Sequence, residues 1–213
     1  MRRGGISFTL VLVVIDVIIY LVVSSLAYNN PGIMDFVALK PLDILAGRNL
    51  WTIFTSMFMH ASPWHLIMNM LSLIFLGSFL ERLIGKRRFI WIYFLSGIFA
   101  SLFFVFFASL FNIDINASAV GASGAIFGIA GTLAVLTPKL PVFIMFIPIA
   151  MPMWFAIILI MVVLWVLSLI ANLPIGNTAH LGGLIVGLIC GFYLRARYKK
   201  KVYLLNRLLG SRW

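Results

Sequence analysis

Long apolar runs alternate with more polar connectors along almost the whole chain, and every second connector is basic. The runs cover about residues 6–27, 63–83, 89–111, 121–138, 142–170 and 179–196. A helix crossing about 30 Å of hydrocarbon needs roughly 20 apolar residues, so this pattern predicts six transmembrane helices, the fourth unusually short. No strand-like alternation suggests a β-barrel, no repeat of 20–50 residues is visible, and no linker divides the chain. The expected architecture is an all-α integral membrane bundle of six helices in a single domain over residues 1–198. Residues 199–213 follow as a basic amphipathic tail (Val202, Leu204, Leu205, Leu208, Leu209) suited to lying on headgroups. The first run, Ile6 to Ala27, exceeds the 7–15 residues of a signal-peptide core and is expected to be a retained helix.

Composition sharpens this picture. Of 213 residues, 63% are hydrophobic and 10% charged, against about 25% charged in soluble domains. The net charge of +11 would suggest nucleic acid on a soluble protein. Here the basic residues flank the apolar runs, which points to topology and lipid headgroups instead, with no nucleic-acid partner. With the N-terminus inside, every Lys and Arg except Lys40 and Arg48 falls on the inner side, so both termini are expected in the cytoplasm of a multi-pass cell-membrane protein. The lone cysteine, Cys190, sits in an apolar run and reads as a small buried hydrophobe. The first outer loop, about 28–62, carries many apolar residues. It is expected to have structure of its own and to dip into the outer leaflet.

Polar residues inside spans are costly and tend to mark function, and here they gather toward the outer side. His65 and Asn69 share one face at the start of span two; interhelical hydrogen bonding is the plain alternative for both. Ser123 lies in Gly121-Ala122-Ser123-Gly124. From Ser123 to Pro138 the helix covers roughly 22 Å, so its N-terminus stops below the outer surface, where unpaired N–H groups need a wet, protein-lined cavity. His180 opens span six near the same depth. Gly183, Gly187 and Gly191 run along its face, while Gly124, Gly128 and Gly131 run beside Ser123. If the two glycine faces meet, serine and histidine come within reach. That would supply a nucleophile and a base, with the Gly121–Gly124 backbone, Asn69 and His65 as candidate oxyanion donors. In isolation, Ser123 reads as a small packing residue and His180 as a structural hydrogen-bonder.

The five acids are Asp16, Asp35, Asp43, Glu81 and Asp114. None has an obvious path to His180, so a Ser–His dyad is expected rather than a triad, with Phe127 as a stacking surface for the imidazole. A metal is not expected: His-Glu-x-x-His is absent, and His60, His65 and His180 make no convincing ligand set. Only Asp16 could serve a membrane aspartyl mechanism, and the inverted repeats of transporters are not visible.

His60, His65 and Asn69 form His-x4-His-x3-Asn; residues 121–128 read Gly-Ala-Ser-Gly-Ala-Ile-Phe-Gly; Ala179, His180, Gly183 and Gly187 supply a last block. In order, spacing and span these blocks resemble the rhomboid intramembrane proteases in their six-helix form, over residues 6–198. The resemblance implies Ser123 as nucleophile and His180 as general base. It implies an oxyanion hole from His65, Asn69 and the Ser123 backbone N–H, and cleavage of single-span membrane proteins near the outer end of their helix without cofactor or metal. Under it His60 and Glu81 are structural. Trp51 is followed by Thr52 where the family often has arginine, a departure that bears on how the first loop is anchored. Pro141, Pro148 and Pro152 make span five the expected substrate gate. The rival reading is a catalytically inactive rhomboid-like protein that binds membrane clients.

Overall fold

The computed structural model describes residues 6–144, 147–171 and 176–210. Arg2, Arg3 and Arg212, used in the charge count, lie outside the described residues, as do residues 172–175 between the last two expected spans. Helix α1 (Phe8–Asn29) is followed by three short helices, α2 (Ile33–Val37), α3 (Pro41–Leu45) and α4 (Thr52–Thr55), and a 3-10 turn. Helices α5 (Pro63–Ser72) and α6 (Ser78–Ile84) form one span through a π-helical turn at Leu73–Gly77. Then come α7 (Lys86–Phe111), α8 (Ser123–Leu136), strands β1 (Pro141–Val142) and β2 (Met151–Pro152), α9 (Met153–Ile170), α10 (Asn177–Arg197) and α11 (Lys199–Gly210).

Five stretches, Phe8–Asn29, Pro63–Ile84, Lys86–Phe111, Met153–Ile170 and Asn177–Arg197, are long and apolar enough to cross a membrane. The chain is therefore an all-helical multi-pass membrane protein. The sixth expected span, α8, has only 14 residues, about 21 Å at 1.5 Å per residue. It is also the most enclosed helix. Gly124, Ala125, Ile126, Gly128 and Ile129 are buried, and so is almost every residue from there to Leu136. A short helix surrounded by protein rather than lipid need not match the bilayer.

Span five differs from expectation. The run from 142 to 170 looks continuous in hydropathy, but its helix starts at Met153. Ahead of it Pro141 pairs with Pro152 and Val142 with Met151 in a two-stranded antiparallel ribbon. Prolines lack the N–H that a helix ladder requires, so the ribbon takes the apolar residues that the helix cannot. Met153 N–H donates to the Leu140 carbonyl (2.9 Å), which holds the start of α9 to the segment that follows α8.

The first loop is folded onto the bundle. Leu39 and Ala119 exchange backbone hydrogen bonds of 2.9 and 2.8 Å, tying this loop to the one before α8. Ala38, Leu39, Met57, Phe58 and Met59 are buried in it. The Trp51 indole donates to the Phe36 carbonyl (2.8 Å), and the Thr52 hydroxyl donates to the Asn49 carbonyl (2.7 Å). With Thr52 in this position the loop is pinned by its own backbone.

Glu81 anchors α1. Its carboxylate accepts from the N–H groups of Phe8 and Thr9 (both 2.9 Å) and from the hydroxyls of Ser7 and Thr9 (both 2.7 Å). The first turn of a helix offers unpaired N–H groups and positive dipole, so a carboxylate from another span serves there as the cap.

Candidate active site

The α8–α10 pair sets the geometry. A Cβ placed on Gly183 would strike the Gly124 carbonyl, and one on Gly187 the Gly128 carbonyl. A Cβ on Gly131 would come 2.8 Å from the Leu184 carbonyl, and one on Gly191 2.8 Å from the Val135 Cβ. Glycine on both faces lets the two backbones touch, as at small-residue interfaces between membrane helices. The Thr132 hydroxyl adds a polar tie, lying 2.9 Å from its own helix's Gly128 carbonyl and 3.0 Å from the Gly187 carbonyl of α10.

At one end of this seam, where α8 and α10 begin, His180 Nε2 lies 2.8 Å from Ser123 Oγ. Ser123 is the first residue of α8 and His180 sits in the first turn of α10. The His180 ring stacks on Phe127 with centroids 4.6 Å apart and planes 22° from parallel. His180 is 8% exposed, and its Nδ1 meets no hydrogen-bond partner among the described residues. Ring stacking and the close helix pair, rather than a carboxylate, hold the imidazole.

The turn before Ser123 is shaped by Gly121, whose φ of 127° is strained for any residue with a side chain. Its N–H donates to the Ser56 carbonyl (2.9 Å), fastening the turn to the first loop. A Cβ on Gly121 would lie 2.9 Å from His65 Cε1 and 3.7 Å from Ser123 Oγ, so His65 faces the serine across this glycine. In α8 the Ile126 N–H is the one that bonds back to Ala122 (3.0 Å), so the N–H groups of Ser123, Gly124 and Ala125 precede the helical ladder.

Helix α5 begins with Ser62, which accepts from the His65 N–H (3.1 Å). This cap was not singled out in the sequence, although Ser-Pro before an apolar run is a start signal. Asn69 is buried, and its amide donates to the His65 carbonyl (2.9 Å) within its own helix rather than to Ser123. His60 is fully buried and packs edge-on against His65, with centroids 5.2 Å apart. Burial, and then the neighbouring His65, push the His60 imidazole down to about 3, so it is neutral at pH 7. Among the described residues no group of three or more His, Cys, Asp or Glu side chains is arranged to hold a metal.

Comparison with known proteins agrees with this architecture. The family model for the Rhomboid domain matches residues 47–197. Rhomboid protein 1, mitochondrial, of Saccharomyces cerevisiae is 33% identical over 153 residues, which is 70% of this chain and 43% of that protein. Rhomboid protease AarA of Providencia stuartii is 30% identical over 234 residues, covering 93% of this chain and 76% of that one. Inactive RHOMBOID-like protein 8 of Arabidopsis thaliana is 38% identical over 86 residues, 40% of this chain and 23% of that protein. The chain spans less than half the length of the yeast and plant relatives. It belongs to the rhomboid family, which has both a named protease and a named inactive member among these relatives.

Proposed function

We propose that this chain is an intramembrane serine endopeptidase acting through a Ser123–His180 dyad. The observation that carries this reading is the 2.8 Å approach of His180 Nε2 to Ser123 Oγ at the N-terminus of a short, enclosed helix. His180 Nε2 takes the hydroxyl proton as Ser123 Oγ attacks the scissile carbonyl carbon. The resulting oxyanion is met by the Ser123 backbone N–H, with His65 and the second amide hydrogen of Asn69 as further donors. Collapse breaks the C–N bond, and His180 returns its proton to the leaving amine. Water then attacks the acyl-enzyme with His180 again as base, releasing the acid and restoring the serine.

The substrates are transmembrane segments of single-span membrane proteins, cleaved near the outer face. In this reading the six helices form one domain over residues 1–198, both termini are cytoplasmic, and the site of a cell-membrane protein opens away from the cytoplasm. Gly121, Gly124, Phe127, Gly183 and Gly187 support the dyad, and His60 holds the first loop. Helix α9 is the gate: Met153, Ala156 and Ile157 are its buried residues, all at one end, while Val162, Val166, Leu169 and Ile170 are exposed.

A second reading, a client-binding protein without activity, is favoured by the relative named inactive. Reconstituting wild type and Ser123→Ala in liposomes with a panel of single-span reporter helices separates the two. Cleavage by wild type alone is expected; absence of cleavage by both, together with reporter binding, supports the second reading.

A further inference from the structure

At the end of the molecule opposite the dyad, α11 folds back beneath α8. The Asn206 amide donates to the Leu136 carbonyl at the last residue of α8 and to the Val202 carbonyl, both at 2.9 Å. Leu136 is one of the carbonyls that a helix end leaves unpaired, so the tail supplies its cap. Between α11, the end of α10 and the segment after α8 lies a cavity of about 420 Å³, within the size range of small-ligand sites.

Its walls include Lys139, Arg195, Lys199, Tyr203 and Asn206. The three cations come from three separate segments and converge on one space, with no carboxylate among the lining residues. The ion pair in the described residues is Arg48–Asp43, in the first loop, so none of these three charges is neutralised within the fold. Three like charges gathered on one space give it a positive potential that attracts an anion. The cavity is also edged with apolar surface: Val202 lines it, and Tyr203, Leu204 and Leu208 on α11 are exposed. A soluble anion makes no use of that surface, whereas the acyl chains of a lipid do.

We propose that this cavity is a binding site for the phosphodiester headgroup of an anionic phospholipid. Lys139, Arg195 and Lys199 take the phosphate, the Tyr203 ring and the neighbouring leucines flank the glycerol and chains, and the lipid joins α11 to the ends of α8 and α10. The site is distinct from the dyad and stands independently of whether Ser123 is active.

The test uses the full chain purified in detergent and stripped of lipid, titrated with phosphatidylglycerol or phosphatidylcholine and read by native mass spectrometry. Wild type is expected to retain one phosphatidylglycerol in preference to phosphatidylcholine. The triple variant Lys139→Gln, Arg195→Gln, Lys199→Gln is expected to bind it about a hundredfold more weakly. The control Arg197→Gln, Lys200→Gln, Lys201→Gln removes the same charge outside the cavity and is expected to bind as wild type does. All three side chains of each set are exposed, and a matched elution profile and melting temperature verify folding. Equal loss in the control variant would mean diffuse surface charge and overturn the site. Equal retention of phosphatidylcholine would overturn the anionic preference. Displacement by glycerol phosphate as efficient as by the lipid would assign the cavity to a soluble phosphoester and overturn the lipid.

Discussion

The α8–α10 seam and helix α9 are built on opposite rules. In the seam, glycines bring backbone against backbone, Thr132 bridges the two helices, and α8 is buried along nearly its whole length. Helix α9 is more apolar than α10, carries large side chains, is buried at one end, and begins after a proline-bounded ribbon. Its greater hydropathy does not bury it, because in lipid the apolar character of a side chain says little about whether it touches protein. Close approach does. A Ser–His pair needs its two members fixed within a few tenths of an ångström, and the seam is the place where the fold provides that. Lateral entry of a substrate helix needs a wall that yields, and α9 has little to lose by moving.

Breaking the seam should have the largest effect. Gly187→Val forces a branched side chain into the Gly128 carbonyl and cannot be absorbed by a rotamer change. It should cost at least about 3 kcal/mol and abolish cleavage, read by thermal unfolding and by the liposome assay. Loosening α9 should do the reverse to activity. Ile157→Ala removes part of its single docking surface, and about 1 kcal/mol of lost docking multiplies an opened state about fivefold. Cleavage of a membrane reporter should rise by up to that factor, with labelling of Ser123 by a small reagent unchanged. A disulfide joining α9 to the α5–α6 span should stop reporter cleavage and spare labelling.

Glu81→Ala sharpens the comparison from a third side. It strips α1 of four hydrogen bonds, so a loss of about 2 kcal/mol in stability is expected, without change in the rate of Ser123 labelling at a temperature where the protein stays folded.

A further effect is a pH dependence from His60. Its folded pKa of about 3 lies below the ordinary 6.5, so the unfolded chain binds more protons between those values. Its share of stability is therefore complete above about pH 6.5 and is lost progressively as the pH falls toward 3. The melting temperature of His60→Leu should vary less between pH 7 and pH 5 than that of wild type.

Much of this was legible in the sequence, and the reasons are physical. Long apolar runs gave α1, α7 and α10 because a span in lipid must satisfy its own backbone hydrogen bonds, which a helix does even through the four glycines of α10. Glycine at helical spacing on two runs placed Ser123 and His180 at one depth, and the structure brings those two side chains together. The start of α9 was not legible: residues 142–152 are as apolar as the helix after them, and three prolines did not announce that two would pair across a ribbon. The acid at Glu81 was visible, but its partners are backbone N–H groups some 70 residues away, which no local pattern encodes. Asn69 was placed as an oxyanion donor by its position on the His65 face, yet one of its amide hydrogens is spent on its own helix. The role of Asn206 in capping α8 is likewise a long-range contact, carried by a residue that reads as an ordinary polar position on a basic tail.

The central claim is that Ser123 is a nucleophile activated by His180. It is tested most directly by treating the protein in detergent with a fluorophosphonate and locating the adduct by peptide mass spectrometry. The account predicts a single adduct on Ser123, reduced at least about a thousandfold in rate in His180→Ala and unaffected in Glu81→Ala. Labelling at Ser123 that proceeds equally without His180, or no labelling of a folded protein at all, would contradict it.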